Sequence, residues 1–239
     1  MPTLLIPGLL CTPRLFAEQL PVLWRSGSVM VANATQAESI EVQAQLILDE
    51  APPSFRLMGL SMGGYLAFEI LRQAPARVKE LVLMDTSARP DTPEGQDRRE
   101  KLIRLAEQGG FERVPPLLYP NLVDESRAND QALEGVVNGM ASEVGAEAFI
   151  RQQKTIMSRP DSRPDLPNIH CRTLVMVGAG DMLTPPEMAA EMADAIPTAD
   201  MVVLERCGHL APLEQPARVN ELLAHWIEGS GPFAGVAQA

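Results

Sequence analysis

The pentapeptide Gly59-Leu60-Ser61-Met62-Gly63 contains the side chain best suited to chemistry, a serine on a predicted tight turn. Apolar residues 55–58 predict a short strand before it, and apolar residues after it recur at helical spacing until Pro75. A sharp strand-to-helix turn strains the serine backbone and crowds the positions two before and two after it, which favours glycine there. Beside the unpaired amides of a helix N-terminus, the Ser61 hydroxyl is placed to attack a carbonyl carbon.

A serine hydroxyl is a weak nucleophile, so a base must take its proton. The sequence contains three histidines. His170 precedes an apolar run and His225 lies in the last predicted helix, and each position has an ordinary structural explanation. His209 instead follows the last predicted strand, residues 201–204, on a loop at the carboxyl edge of a parallel sheet, where Ser61 also emerges. We therefore expect His209 to be the base.

A third group must orient the imidazole and stabilise its charged form, and an aspartate between serine and histidine gives the order Ser, Asp, His. Two aspartates in that interval follow predicted strands: Asp181 after residues 173–177, and Asp85 after residues 81–84. Asp181 follows the strand next to the one that carries His209, so it is the first choice. Asp85 is the fallback, and is otherwise expected to cap a helix or to accept a loop hydrogen bond.

Backbone amides must stabilise the oxyanion that forms when serine attacks a carbonyl. The amide of Met62, directly after the serine, is the natural first donor. The second is expected in the turn after the first strand, Pro7-Gly8-Leu9-Leu10-Cys11, and Leu9 is the predicted donor.

The three cysteines, Cys11, Cys171 and Cys207, are far apart in sequence and form no C-x-x-C pair, so neither a disulfide framework nor a zinc ribbon is predicted. Cys11 and Cys207 lie near the proposed site, where we expect packed, unreactive thiols. Cysteines and histidines at these positions do not form paired metal-ligand spacings. We predict no metal and no cofactor.

The chain has 239 residues, 46% of them hydrophobic, and a formal net charge of −11. This acidic balance argues against nucleic acid as a partner, because phosphate binding is driven by clustered lysine and arginine. No segment has the length or apolarity of a membrane span or the pattern of a secretion signal. We expect a cytoplasmic protein, monomeric or homodimeric, whose partner is a small-molecule substrate.

Apolar runs alternate with helical stretches, which is typical of an α/β protein with a parallel sheet covered on both faces. The alternation fails between residues 88 and 168, hereafter the inserted segment, where the strong patterns are helical. We predict a core formed by residues 1–87 and 169–230, a helical cap formed by residues 88–168, and a flexible tail at residues 231–239. Thr184 is predicted to cap the helix that follows it, with Glu187 completing a capping box.

Three motifs in this order resemble those of the α/β-hydrolase fold superfamily: Gly59-Leu60-Ser61-Met62-Gly63-Gly64, Val177-Gly178-Ala179-Gly180-Asp181, and Gly208-His209 with Leu213-Glu214-Gln215-Pro216. The loops are similar to those of small carboxylesterases and enol-lactonases. The chain begins at what resembles the family's third strand, so the family's N-terminal antiparallel strands are expected to be missing. The resemblance implies an open parallel sheet of about six strands in the order 2-1-3-4-5-6, with helices on both faces and a helical cap.

The sequence predicts a serine hydrolase that cleaves a small carboxylic ester, thioester or lactone through an acyl-enzyme on Ser61. One alternative is a triad-dependent lyase or carbon-carbon bond hydrolase of the same fold, similar to a menaquinone-pathway enzyme, and another is a non-catalytic small-molecule receptor. Six residues of the inserted segment are candidates for an acyl pocket, although packing within the cap explains them equally well: Leu117, Leu118, Tyr119, Met140, Phe149 and Met157.

Overall fold

The computed structural model describes residues 1–229, so the predicted tail lies outside the described residues. Its sheet has six strands, all parallel, in the spatial order β2-β1-β3-β4-β5-β6. The strands are β1 (Thr3–Ile6), β2 (Val29–Val31), β3 (Phe55–Leu60), β4 (Val78–Met84), β5 (Arg172–Gly178) and β6 (Ala199–Leu204). No strand within residues 1–229 is antiparallel to its neighbour, so the fold and the strand order predicted from sequence are confirmed.

Nine α-helices surround and extend this sheet within the described residues. They are α1 (Leu20–Trp24), α2 (Ile40–Glu50), α3 (Met62–Gln73), α4 (Pro93–Leu105), α5 (Val114–Leu118), α6 (Gln131–Met157), α7 (Pro186–Ala195), α8 (Ala211–Glu214) and α9 (Pro216–Glu228). The chain between β1 and β2 forms a 3₁₀ turn (Pro13–Phe16) followed by the short α1 and not one continuous helix. Pro21 lacks the N–H that a continuous helix needs there, and it fits only in the first turn of α1.

Alternating side chains of the strands enter two separate cores. Leu5, Met58, Val82 and Leu174 are aligned across neighbouring strands, are fully buried and belong to the core shared with α1 and α9. The residues next to them in the strands, among them Leu4, Leu57 and Leu81, pack with α2, α3 and α7 on the opposite face. This period of two places apolar side chains on both faces of the sheet, and both faces are covered. Because all six strands are parallel, their carboxyl ends lie at one edge.

The inserted segment joins β4 to β5 and contains α4, α5 and α6 together with short 3₁₀ turns. Gly109 has a φ of 81° shortly after the end of α4, a backbone conformation that favours glycine. The 27-residue α6 is interrupted at Gly145, where φ is 76° and ψ is 170°. A small apolar cluster holds these helices together: Ala106, Val114, Ala141 and Phe149, with Leu10 from the core. The division into separate core and cap domains stays a prediction.

Candidate active site

The backbone at Ser61 has the strained geometry that the sequence predicts. Its φ of 55° and ψ of −116° lie outside the regions that ordinary residues favour. The turn is held on both sides, since the Ser61 N–H donates to Met84 O at 3.0 Å and Thr86 Oγ1 donates to Ser61 O at 2.8 Å. A Cβ on Gly59 would collide with the carbonyl oxygen of Gly63, so the tight crossing of β3 and α3 requires glycine.

Ser61, His209 and Asp181 form one continuous chain of hydrogen bonds. The distance from His209 Nε2 to Ser61 Oγ is 2.7 Å, and His209 Nδ1 lies 2.7 Å from Asp181 Oδ2. The three residues come from the loops after β3, β6 and β5, which meet at the carboxyl edge of the sheet. His209 and Asp181 are buried, whereas Ser61 is half-buried and lines a cavity. The structure therefore brings together the three side chains that the sequence selected.

The carboxylate of Asp181 is fixed by its own loop. Oδ1 accepts the backbone N–H groups of Leu183 at 2.8 Å and Thr184 at 3.0 Å, and Oδ2 accepts the Thr184 hydroxyl at 2.7 Å. Burial works to raise the pKa of Asp181, but the charge of His209 and these hydrogen bonds outweigh it and lower the pKa to about 2. Asp181 is thus held ionised, and both oxygens are fixed relative to the imidazole.

Thr184 does not have the role predicted for it. Pro185, not Thr184, is the residue that precedes α7, and no side-chain hydrogen bond caps this helix. The capping box was wrong because the Thr184 hydroxyl is used by Asp181 instead. Thr184 Oγ1 also lies 3.4 Å from His209 Nδ1. The sequence pattern is typical of a helix start, but Thr184 instead positions the carboxylate of Asp181.

Asp85, the fallback acid, has a different position and environment. It is fully buried at the end of β4, with a φ of 45°, and Oδ1 accepts the Gly178 N–H at 2.9 Å. No hydrogen bond joins it to His209 within residues 1–229. Burial raises the pKa of Asp85 well above its usual range, and the negative charges of Asp181 and Glu214 raise it further. Asp85 therefore accepts a hydrogen bond from a loop, which is the alternative role that the sequence predicted for it.

The amides of Leu9 and Met62 donate no hydrogen bond to any described residue, as an oxyanion site requires. Leu9 lines the cavity beside Ser61, and Met62 is the first residue of α3. The turn around Leu9 is held by the next residue, because the Leu10 N–H donates to Gln152 Oε1 of α6 at 3.1 Å. Gln152 is buried, and its Nε2 donates to Ala34 O at 3.2 Å. The inserted segment thus supports this turn.

Glu214 fixes the histidine loop, a role that sequence reasoning missed. Its carboxylate accepts the backbone N–H groups of Gly208 at 3.0 Å, Leu210 at 3.1 Å and Asp124 at 2.8 Å. Burial raises the pKa of Glu214, although these hydrogen bonds oppose the shift. The signal was the acidic residue five positions after His209, which the family resemblance included without giving it a role.

A cavity of about 400 Å³ opens above Ser61, between the sheet edge and the inserted segment. Of the six predicted pocket residues, only Leu118 lines it. Tyr119 and Met140 are buried in the core shared with α1 and α9, and Phe149 packs in the small apolar cluster of the inserted segment, as the alternative of packing within the cap predicted. The apolar wall is formed instead by residues such as Leu102, Leu122, Val137, Ala141 and Ile156. The helical spacing of the apolar residues indicated an apolar helix face, but it did not show which of these residues line the cavity.

The cysteines have the packed environment that was expected. Cys11 and Cys207 are buried, and burial raises the pKa of Cys11 to about 12 and that of Cys207 further above its usual range. Within residues 1–229 no cluster of three or more histidine, cysteine or acidic side chains is arranged to hold a metal. No helix in this part of the chain is long and apolar enough to cross a membrane.

Comparison with known proteins gives a consistent result. A putative non-heme bromoperoxidase of Mycobacterium tuberculosis is 30% identical over 184 residues, with 72% of this chain and 67% of that protein covered. A 2-hydroxy-6-oxononadienedioate/2-hydroxy-6-oxononatrienedioate hydrolase of Escherichia coli is 27% identical over 207 residues, with 84% of this chain and 70% of that protein covered.

Among solved structures, a thermophilic esterase from Thermogutta terrifontis, determined with malate bound, is 30% identical and superposes with a TM-score of 0.85. The match covers 96% of this chain and 90% of that one. A sequence profile described as the alpha/beta hydrolase family matches residues 12–222. Since that profile spans most of the chain and the fold agrees with it, this protein belongs to the alpha/beta hydrolase family.

Proposed function

We propose that this α/β hydrolase cleaves a small carboxylic ester, thioester or lactone through an acyl-enzyme on Ser61. The observation that carries the proposal is the pair of 2.7 Å contacts that link Ser61 Oγ to His209 and His209 to Asp181 at the floor of an open cavity. The 30% identity to an esterase of the same fold supports it.

In the proposed mechanism His209 Nε2 removes the proton of Ser61 as Oγ attacks the carbonyl carbon. Asp181 stabilises the resulting imidazolium, and the amides of Leu9 and Met62 bind the oxyanion. His209 then protonates the leaving alcohol, thiol or lactone hydroxyl. Water deprotonated by His209 attacks the acyl-enzyme, and the collapse of the second intermediate releases the acid and restores Ser61. No cofactor takes part.

Turnover of p-nitrophenyl butyrate by Ser61→Ala tests this function. We expect kcat/KM to fall by about ten-thousandfold or more, since the loss of a triad nucleophile removes nearly all chemical acceleration. A fluorophosphonate should phosphonylate Ser61 Oγ of the parent with loss of fluoride, which adds the mass of the phosphonyl group, and should leave the variant unlabelled. Ser142→Ala, a change at an exposed serine on α6, is the matched control and should behave as the parent. Equal rates for the parent and Ser61→Ala would exclude the proposal.

The relative that acts on 2-hydroxy-6-oxo dienedioates supports a second candidate, hydrolysis of a carbon-carbon bond. In that case the triad first serves in proton transfer to a vinylogous diketone. Rapid turnover of such a diketone, together with ester turnover lower by orders of magnitude, would favour this candidate. The reverse ranking would favour the ester hydrolase.

A further inference from the structure

One end of the cavity is lined by a polar cluster that the proposed chemistry at Ser61 does not use. Its members are Asp91 at the start of the inserted segment, Arg99 on α4, Gln153 on α6 and Arg159 just after α6. Arg99 Nε donates to Asp91 Oδ2 at 2.8 Å, and Arg159 Nη2 donates to Asp91 Oδ1 at 3.3 Å. Two guanidinium groups therefore share one carboxylate, and the cluster carries one positive charge in excess.

The cluster has hydrogen-bond donors that no described residue accepts. Arg99 Nη1 donates to Gln153 Oε1 at 2.8 Å, so Gln153 Nε2 points away from the guanidinium. Gln153 is fully buried, and its Nε2 has no hydrogen-bond partner within residues 1–229. Arg99 Nη2 likewise donates to none of them. Because a buried donor left unpaired is costly, this arrangement is suited to an acceptor supplied by a ligand.

Neighbouring charges reinforce the same preference. Arg89 and Arg98 also line the cavity, so four arginines and one acidic residue surround it, although the chain as a whole carries a net charge of −11. Arg89 is ion-paired with Glu191 at 2.8 Å, and both arginines are exposed, so solvent screens their contribution. Arg99 and Arg159 are half-buried, so solvent screens their charges less than those of Arg89 and Arg98.

The cluster lies within reach of a substrate bound at Ser61. Tyr65 lines the cavity one helical turn after Ser61, about 5 to 6 Å along α3. The guanidinium carbon of Arg159 lies 4.3 Å from the centre of the Tyr65 ring. A carboxylate at the cluster is thus separated from the reacting carbonyl by a spacer of several carbon atoms.

We propose that Arg99 and Gln153 form a subsite for a carboxylate, so that the preferred substrate is an ester, thioester or lactone that also carries a free carboxylate several carbons from the scissile carbonyl. The negative charge compensates the excess guanidinium charge, and the carboxylate oxygens accept from Gln153 Nε2 and Arg99 Nη2. This inference rests on the proposed function, since it assumes that Ser61 attacks the carbonyl.

Steady-state hydrolysis of monomethyl adipate and dimethyl adipate tests the preference, because the two esters differ in one charge. We expect KM to be about tenfold to hundredfold lower for the monoester, as for one charge-assisted hydrogen-bonded pair. Arg99→Gln should abolish the difference by raising KM for the monoester, with kcat and the diester values little changed. Arg104→Gln, a change at an exposed arginine on the same helix paired with Glu100, is the matched control and should keep the preference.

Binding to Ser61→Ala separates this inference from the proposed function, because no turnover is needed. Calorimetry should show monomethyl adipate binding about tenfold tighter than dimethyl adipate, and the difference should vanish in Ser61→Ala combined with Arg99→Gln. Tight monoester binding without Ser61-dependent hydrolysis would retain the subsite and reject the function. Equal affinities for the two esters in Ser61→Ala would overturn the subsite even if Arg99→Gln failed to fold.

Discussion

The sheet edge and the inserted segment line one cavity with different kinds of side chain. The sheet edge, α3 and the core loops contribute apolar residues and the uncharged or hydroxyl-bearing side chains of Ser61, Tyr65, Ser87, Thr184 and His209, with no arginine, lysine or carboxylate among them. Every lining arginine and the single lining aspartate, Asp91, belong to the inserted segment. The difference suggests a division of labour in which the sheet edge performs the chemistry and the inserted segment selects the substrate.

The two regions also differ in how they are held together. The loops that carry Ser61, Asp181 and His209 follow three parallel strands, of which β3 and β5 are buried and β6 is a partly buried edge strand, and a ladder of hydrogen bonds with two apolar cores fixes each strand end. The inserted segment adds buried residues such as Met140 and Ile156 to these two cores, and it is held further by a small apolar cluster of its own and by exposed contacts such as the pair Arg14–Glu143. Exposed pairs of this kind contribute at most about 1 kcal/mol. If the division of labour holds, changes at the sheet edge should alter kcat, whereas changes in the inserted segment should alter KM.

The largest effect is expected for Asp181→Asn at the sheet edge. Loss of the carboxylate removes the partner that orients His209 and stabilises its charged form, so kcat for p-nitrophenyl butyrate should fall by about a thousandfold to ten-thousandfold. Asp85→Asn is the matched control, since it makes the same chemical change at a neighbouring strand end without a contact to His209. It should keep kcat within a few-fold. A large loss in Asp85→Asn with an active Asp181→Asn would reverse the assignment.

A smaller effect is expected for Gln152→Ala, which tests the division of labour directly. Gln152 belongs to the inserted segment but binds the Leu10 N–H beside the proposed oxyanion donor Leu9. We expect kcat to fall by about tenfold with little change in KM, a fraction of the loss seen when an oxyanion donor is removed outright. The free energy of unfolding should also fall by about 1–3 kcal/mol, since buried groups lose their partner.

The control for that variant is Gln45→Ala, because Gln45 lies on the exposed surface of α2 and its Nε2 donates to Asp49 Oδ1 at 2.7 Å. It should match the parent in kcat and in urea denaturation. If Gln152→Ala changed KM alone, the inserted segment would act only on substrate selection, and the simple division would stand.

The smallest effect concerns the pH dependence of stability and Asp85. Burial raises the folded-state pKa of Asp85, so above the unfolded value of about 4 the folded state binds more protons than the unfolded state. The free energy of unfolding should therefore fall as pH rises from about 4 towards the folded-state pKa, by up to about 1.4 kcal/mol per pH unit. Asp85→Asn should remove this slope. Parallel urea-denaturation profiles for parent and variant between about pH 5 and pH 8 would contradict it.

The sequence predicted the triad because each member follows a strand whose order in the sheet could be inferred. Ser61, Asp181 and His209 come after buried apolar runs, and the carboxyl ends of parallel strands meet at one edge. The positioning residues were harder to predict. Thr184 matched a local helix-start pattern, but a tertiary contact with Asp181 took its hydroxyl.

The walls of the cavity could not be predicted from local patterns. Arg99 and Gln153 meet between α4 and α6 although 54 positions separate them in sequence. Helical periodicity identifies a face but not the helix that covers it, and short helices in the inserted segment leave several packings open. For the same reason Leu118 was the only correct member of the six predicted pocket residues.

The carboxylate of Glu214 joins the loop that carries His209 to the inserted segment. It accepts the backbone N–H groups of Gly208 and Leu210, on either side of His209, and that of Asp124 in the inserted segment. The backbone N–H of His209 also donates to Leu122 O at 3.0 Å. Outward movement of residues 122–124 would break contacts that keep the imidazole aligned. The alignment of the imidazole therefore depends on residues 122–124 of the inserted segment as well as on the sheet edge that carries Ser61.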